Sequence, residues 1–407
     1  MAAALQRRWF FAPGIIITAG CIISIISFGV RSSMGLFTHP ISEAYQWNRE
    51  VYGLAMAIQN LVWGIMQPIA GAMADRFEPA KVVATGAVIY ALGTALMSFA
   101  DTPALMYLAG GVLVGAGIAT ASFSIVMAAF GRLVPPEKRS WVFGLATSAG
   151  SLGQFIFAPL GQGFIAAFGW QNALFLMAAI TLLMIPLALP LTAPVAREQA
   201  TAKENAQIGM REAVRSALGH PSFVLLVLGF FVCGFQLAFV TIHLPAYLVE
   251  HGISEWLAAS AIAIVGIFNV IGSYCAGIIG GKYRKRISLA MIYLLRSLFV
   301  ILFLMTPVTP LSTVVFTASM GLLWLSTVPL TMGLVMVMFG TRYIATLYGF
   351  VFLSHQVGSF FGVWLGGKFH DLYGSYDPVW WMGVALGLFA ALVHWPIREE
   401  RAPAFAV

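Results

Sequence analysis

Apolar stretches long enough to cross a lipid bilayer follow one another along nearly the whole of this 407-residue chain. They run at about 11–38, 50–74, 82–100, 104–131, 140–168, 172–193, 222–249, 255–280, 287–307, 311–339, 343–370 and 378–397. A bilayer core takes roughly 20 residues of α-helix, and inside it every backbone N–H and C=O must find a partner within the protein. Each stretch is therefore predicted to be a helix, giving an all-α integral membrane protein. Only 9% of the residues are charged, against about 25% in soluble domains. No segment of even about fifty residues has soluble composition, so an appended soluble catalytic domain is not expected.

Twelve spans put both termini on one side. With the amino terminus placed in the cytoplasm, 18 of the 22 basic residues fall in inside segments, from Arg7 and Arg8 through Arg211 and Arg215 to Arg398 and Arg401. Arg49 and Lys368 fall outside, and Arg31 and Arg296 fall within spans. That bias predicts both ends inside, as in a multi-pass protein of a bacterial inner (plasma) membrane. The net charge of +7 is thus spread over separate cytoplasmic segments, with no stripe for nucleic acid. The first span is too long for a signal-peptide core and is expected to stay as an uncleaved helix. Cys21, Cys233 and Cys275 lie in apolar runs, too scattered for a disulfide framework or a metal site.

The polar linker 194–219, with a short amphipathic piece around Arg211 to Leu218, divides the chain into six-span halves, 1–193 and 220–407. An internal duplication is visible at an offset of 205: Gly144, Gly153, Gly161 and Gly169 match Gly349, Gly358, Gly366 and Gly374. The loop Gly71-Ala-Met-Ala-Asp75-Arg76-Phe77 has a degraded partner in Gly277-Ile-Ile-Gly-Gly-Lys-Tyr283. Parallel six-helix repeats with a substrate site between them build one large class of secondary transporters.

The Gly71-to-Arg76 loop, with Lys81, resembles the signature between the second and third helices of the major facilitator superfamily. The resemblance covers the whole chain and implies two pseudo-symmetric six-helix halves. Within that superfamily, Phe28-Gly-Val-Arg31-Ser-Ser-Met-Gly35-Leu-Phe37 is similar to the first-helix segment of monocarboxylate and oxalate-type porters, in which a lysine stands where Arg31 stands here. The chain departs from the animal monocarboxylate carriers at Asn269 and Ser273, which replace their eighth-helix charge pair. The fourth-helix arginine of many proton-driven members would fall near Gly111. A partial antiporter motif, Ala158-Pro159-Leu160-Gly161, keeps an efflux pump for amphipathic drugs or metabolites as the alternative reading. The resemblance also implies that Asp75 and Arg76, with Gly71, brace a cytoplasmic gate, and that the protein works as a monomer.

All fifteen acidic residues lie at span margins or in loops. Because an ionisable side chain in the bilayer core costs at least about 2.5 to 3.5 kcal/mol, those retained there call for an explanation. They are Arg31, Arg296, His243 and His355, with His394 near the end of the last span, and this set attracts anions. Arg31 shares a helix face with Ser27 and Ser24 and has the planar fork that grips a carboxylate with two bonds; the competing expectation is that it snorkels to the headgroups. His243 shares a face with Gln236 and precedes Pro245. His355 and Gln356 sit in the eleventh span, and a histidine there can take up a proton together with an anion. Arg296 is expected to be structural, bonded to a carbonyl. Gln59, Asn60, Gln67, Gln154 and Asn269 supply uncharged donors, only one of the adjacent Gln59 and Asn60 can point inward, and Trp324 can form an aromatic wall. There is no phosphate-cradling Gly-Lys-Ser/Thr loop, no His-Glu-x-x-His and no serine-hydrolase elbow. No enzyme activity and no cofactor are expected. The expected partners are a small anionic substrate, a proton or counter-anion, and lipid.

Overall fold

The computed structural model of the chain describes residues 12–192 and 208–405. Among them all regular structure is helical. The long helices are α1 (Pro13–Tyr45), α2 (Arg49–Arg76), α3 (Pro79–Met97), α4 (Pro103–Leu133), α5 (136–168), α6 (170–192), α7 (Pro221–Glu250), α8 (Glu255–Lys282), α9 (Lys285–Met305), α10 (Pro310–Phe339), α11 (Ile344–Tyr373) and α12 (Asp377–His394), and all but the more polar α2 lie in segments long and apolar enough to cross a membrane. The expected amphipathic piece of the linker is a helix over Met210–Leu218; positions 194–207 of the linker lie outside the described residues. Proline opens seven of the spanning helices, where its fixed φ suits the first turn and its missing N–H costs nothing.

Three departures from the simple span pattern have local causes. Helices α5 and α6 run together and turn at Gly169, whose φ of +77° a side chain would disfavour. Helix α1 continues past the expected end through a tight turn at Met34–Phe37, held where the Tyr52 hydroxyl donates to the Met34 carbonyl at 2.6 Å. Helix α10, read from sequence as unbroken, is interrupted between Leu323 and Thr327.

Two compact units are present. Within the described residues the first contains 12–136, 149–192 and Thr341–Gly349; the second contains Glu137–Ser148, 208–340 and 350–405. The start of α5 thus belongs with the second unit and the start of α11 with the first. These two segments are repeat-equivalent, and their contacts match. In the second unit an added Cβ on Gly144 of α5 would press on the Gly277 backbone of α8, and in the first unit one on Gly349 of α11 would press on the Pro68 backbone of α2. Further along, Gly153 lies against the Ile25 carbonyl of α1, and Gly358 against the Phe231 carbonyl of α7. The glycine register is therefore a register of helix crossings that need close backbone approach.

Each unit has its own core. Tyr52, Tyr90, Phe37 and Phe130 are fully buried in the first. In the second, Phe303 stacks on Phe316 with centroids 4.2 Å apart, and Trp380 packs edge-on to Phe239 at 4.8 Å. Helix α9 is two-faced: Tyr293, Arg296, Ser297 and Val300 are buried, while Leu294, Leu298 and Leu302, four residues apart, are exposed. In a membrane-spanning chain that outer stripe meets lipid.

Candidate functional site

Arg31 stands two residues before the end of the regular part of α1, Pro13–Ser33, yet its side chain turns across to the middle of α2. Its Nη2 donates to Asn60 Oδ1 at 2.6 Å. Asn60 is eleven residues into α2, about 16 Å from the helix start at 1.5 Å per residue. The guanidinium is therefore held at mid-helix depth and does not snorkel. Its carbon lies 4.7 Å from the Trp63 ring centroid and 5.7 Å from that of Phe28, contacts worth about 2 kcal/mol when desolvated.

The support behind these rings is fixed by hydrogen bonds. Trp63 Nε1 donates to Gln67 Oε1 at 3.0 Å, and Gln67 Nε2 donates to Ser122 Oγ at 3.2 Å. Phe28 packs edge-on against both Trp63 and Phe123. Asn60 is oriented by its own amide, which donates to the Met56 carbonyl at 3.0 Å. Arg31 is in none of the ion pairs found among the described residues. Its one hydrogen bond goes to a neutral amide, and its buried Nε has no partner. A guanidinium has five N–H donors, so most of this one's capacity is unused.

Of the adjacent pair, Asn60 meets Arg31, while Gln59 turns to α4 and donates to the Gly110 carbonyl at 2.9 Å. That carbonyl lies in a widened helical turn, Tyr107–Leu113, which loosens the backbone ladder. Ser24 bonds the Gly20 carbonyl of its own helix, and the Ser27 carbonyl accepts from the Tyr90 hydroxyl.

The remaining sequence candidates lie in the second unit and fall into separate places. His355 is stacked on Phe352 and tilted against Phe230, with Nδ1 3.2 Å from Gln356 Oε1. Arg296 is fully buried at the break in α10: it donates through Nε and Nη2 to the Leu323 carbonyl at 3.1 and 2.5 Å, through Nη2 to the Trp324 carbonyl, and through Nη1 to Cys233 Sγ at 3.6 Å. Asn269 serves the same break, accepting from the Leu325 N–H at 2.9 Å and from the Ser273 hydroxyl at 3.0 Å. Trp324 is buried at this point and contributes its carbonyl. Gln236 is buried and donates to the Gly383 carbonyl of α12 at 2.9 Å. His243 borders a cleft of about 620 Å³ with Val363, Trp364 and Lys368 of α11, and its Nε2 is 2.9 Å from the Val363 carbonyl.

At the end of α2 the first unit holds a second polar centre. The fully buried Asp75 carboxylate pairs with Arg132 of α4 and accepts from the Ala345 N–H at 3.2 Å and from Thr346 N–H and hydroxyl. Ala345 and Thr346 are in the first turn of α11, where free N–H groups favour an anion. Arg132 also donates to the Ala74 and Thr341 carbonyls at 3.0 and 3.2 Å. Gly71 lies against the Ala345 backbone. Arg76 is exposed beside Phe77 and takes no part; the arginine in the cluster is Arg132, which the sequence reading counted only as an orientation charge.

The twelve long helices of the described residues, with the buried arginine and carboxylate they hold, have the layout of a membrane transporter. The family model of the Major Facilitator Superfamily matches residues 19–363, and the chain belongs to that family. Monocarboxylate transporter 13 of Rattus norvegicus is 26% identical over 87% of this chain and 81% of its own length. An uncharacterized MFS-type transporter, YcxA of Bacillus subtilis, is 25% identical over 92% and 91%. The probable sulfoacetate transporter SauU of Cupriavidus necator is 25% identical over 65% and 64%. Among solved structures, the proton:xylose symporter XylE superposes with a TM-score of 0.74 at 16% identity, covering 97% of this chain and 98% of that one.

Proposed function

We propose that this chain moves a small organic anion, a monocarboxylate, across a bacterial inner membrane by alternating access of its two six-helix halves. Both termini are cytoplasmic in this reading. Transport is coupled either to a proton, taken up at His355 or His243, or to exchange for a second anion. The observation that carries the reading is Arg31: a permanent cation at mid-membrane depth, stacked on Trp63, bonded only to neutral Asn60 and paired with no acid. A buried charge of that kind is tolerable when its counter-ion arrives as the substrate. The relatives' names, which specify monocarboxylate and sulfoacetate, support an anion. An efflux pump for cationic drugs needs an embedded carboxylate, and the span interiors hold none.

In this scheme Asp75 and Arg132 latch the start of α11 and close the cytoplasmic path, and transport requires that latch to open and re-form. The test is Arg31→Ala in proteoliposomes. The variant should insert and remain monodisperse, yet lose uptake of labelled monocarboxylate; undiminished uptake would sink the assignment.

A further inference from the structure

Two lines of contact start at the Arg31 guanidinium and end on adjacent residues of α4. One is made of rings: Arg31 lies against Phe28, and Phe28 packs edge-on to Phe123 with centroids 5.6 Å apart. The other is made of hydrogen bonds: Trp63, beside the guanidinium, donates to Gln67, and Gln67 donates to Ser122, whose hydroxyl oxygen is 3.0 Å from that of Ser124. Trp63, Gln67, Ser122 and Ser124 are all buried, and both the oxygen and the nitrogen of the Gln67 amide are engaged. Asn60, Trp63 and Gln67 follow at spacings of three and four, so one face of α2 carries the whole line.

Ser122 is where α4 is broken. One helical run ends at Thr120, Ser122 is extended with a ψ of 155°, and a new run begins at Phe123 and continues to Leu133. Extended backbone between two helical runs lets one turn against the other through a few torsions. The second run carries Arg132 near its far end, about 15 Å from Ser122 at 1.5 Å per residue. There Arg132 holds the Asp75 carboxylate and the Ala74 carbonyl. One end of this run thus meets the supports of Arg31, and the other end meets Asp75. At the repeat offset of 205 Ser122 matches Thr327, the residue at which α10 resumes after its own break.

Resting on the readings of Arg31 as the anion anchor and of Asp75 with Arg132 as the latch, we infer that Trp63, Gln67 and Ser122 are positioning residues that couple the one to the other through the break in α4. A carboxylate arriving at Arg31 neutralises the guanidinium and weakens its hold on the Trp63 and Phe28 rings, since that attraction depends on the charge. Both rings bear on residues 122 and 123. Loosening them frees the second run of α4 to turn at Ser122, and the turn draws Arg132 away from Asp75. Anion binding thereby favours the open latch, and an open latch weakens anion binding by the same factor.

The experiment uses the purified full-length protein in nanodiscs, with lactate, pyruvate and benzoate as probes. Hydrogen exchange of residues 341–349 reads the latch, because the Ala345 and Thr346 N–H groups bond Asp75. In the native protein a saturating probe should speed that exchange by about fivefold or more. Gln67→Met and Ser122→Ala keep Arg31, so calorimetry should find affinities within about twofold of native while maximal uptake in liposomes falls about tenfold. The probe should leave latch exchange unchanged in both variants. Ser122→Thr keeps the hydroxyl and should restore the exchange response and the uptake together.

A native latch whose exchange ignores bound probe overturns the inference, as does a response that survives in both variants. Loss of affinity and uptake in equal proportion, with a lowered melting temperature, also overturns it, because that pattern marks Gln67 and Ser122 as packing alone. If none of the three probes binds, or Arg31→Gln binds them as the native protein does, the anchor reading fails and the coupling falls with it. That outcome is distinct from a probe that binds through Arg31 while the latch responds without Gln67.

Discussion

Asp75 accepts hydrogen bonds from both the backbone N–H of Thr346, at 2.7 Å, and its hydroxyl, at 2.5 Å, across 271 positions of sequence. The carboxylate also holds Arg132, so a single buried group ties α2, α4 and the first turn of α11 together. Asp75→Ala strands a buried arginine and should cost the latched arrangement about 3 kcal/mol or more. Thr346→Val removes one hydroxyl and keeps the N–H, a loss of about 1 kcal/mol. Initial uptake rates should therefore fall in the order Asp75→Ala, Arg132→Ala, then Thr346→Val, with Arg76→Ala near the native rate because that side chain is exposed. An Arg76 variant more impaired than the Arg132 variant contradicts the latch as described.

The repeat-equivalent glycines give a second prediction. A Cβ on Gly153 or Gly358 would run into a main-chain carbonyl, that of Ile25 or Phe231, and backbone gives way less readily than a side-chain tip. Gly153→Ala and Gly358→Ala should each lower the melting temperature of the detergent-solubilised protein. Gly163→Ala, where nothing stands within 4 Å, should not. Overpacking of this kind typically costs about 1 to 3 kcal/mol, and equal melting temperatures for all three would remove the close-approach explanation.

Arg296 and Arg31 are both membrane-embedded arginines, yet their environments predict opposite phenotypes. Arg296 is fully buried and spends its donors on the Leu323 and Trp324 carbonyls freed by the break in α10. Arg296→Met leaves those carbonyls unsatisfied at about 1 to 3 kcal/mol each, so the variant should be thermally unstable in detergent. Arg31→Met gives up the Asn60 bond and the Trp63 and Phe28 ring contacts but also removes a buried charge that no acid balances, so it should melt near the native temperature while losing anion binding. A stable Arg296→Met protein would falsify the structural role.

The spans and the repeat were legible in the sequence because a bilayer permits only helices of one length, and because glycine marks where two backbones meet. Arg31 stands out in the sequence because nothing else charged survives at that depth in the first half. Its partner was not: Gln59 and Asn60 are adjacent, and only the rotation of α2 decides which one meets Arg31 and which meets Gly110. Arg132 was hidden among the eighteen orientation charges, since its role depends on Asp75 and α11 converging on it. The break in α10 has a local signal in Pro329, which has no N–H to give the Leu325 carbonyl and whose ring crowds that turn. The groups that satisfy the break, Arg296 and Asn269, lie 27 and 56 positions away and are not legible locally.

Asn60→Asp tests the empty charge most directly. Asn60 Oδ1 already sits 2.6 Å from Arg31 Nη2, so an aspartate needs no rearrangement to form an ion pair there. That internal carboxylate would do permanently what a substrate carboxylate does in passing. A partly buried, well-aligned pair of this kind strengthens the hydrogen bond to about 1.5 to 3 kcal/mol, so the variant should melt higher than the native protein. Its uptake should fall by about tenfold or more, because the incoming anion must now displace a tethered one. Should Asn60→Asp keep native transport, the guanidinium is not where the anion binds. Should it lose stability as well as transport, Asn60 is serving the packing of α1 on α2 and the charge on Arg31 is already balanced by other means.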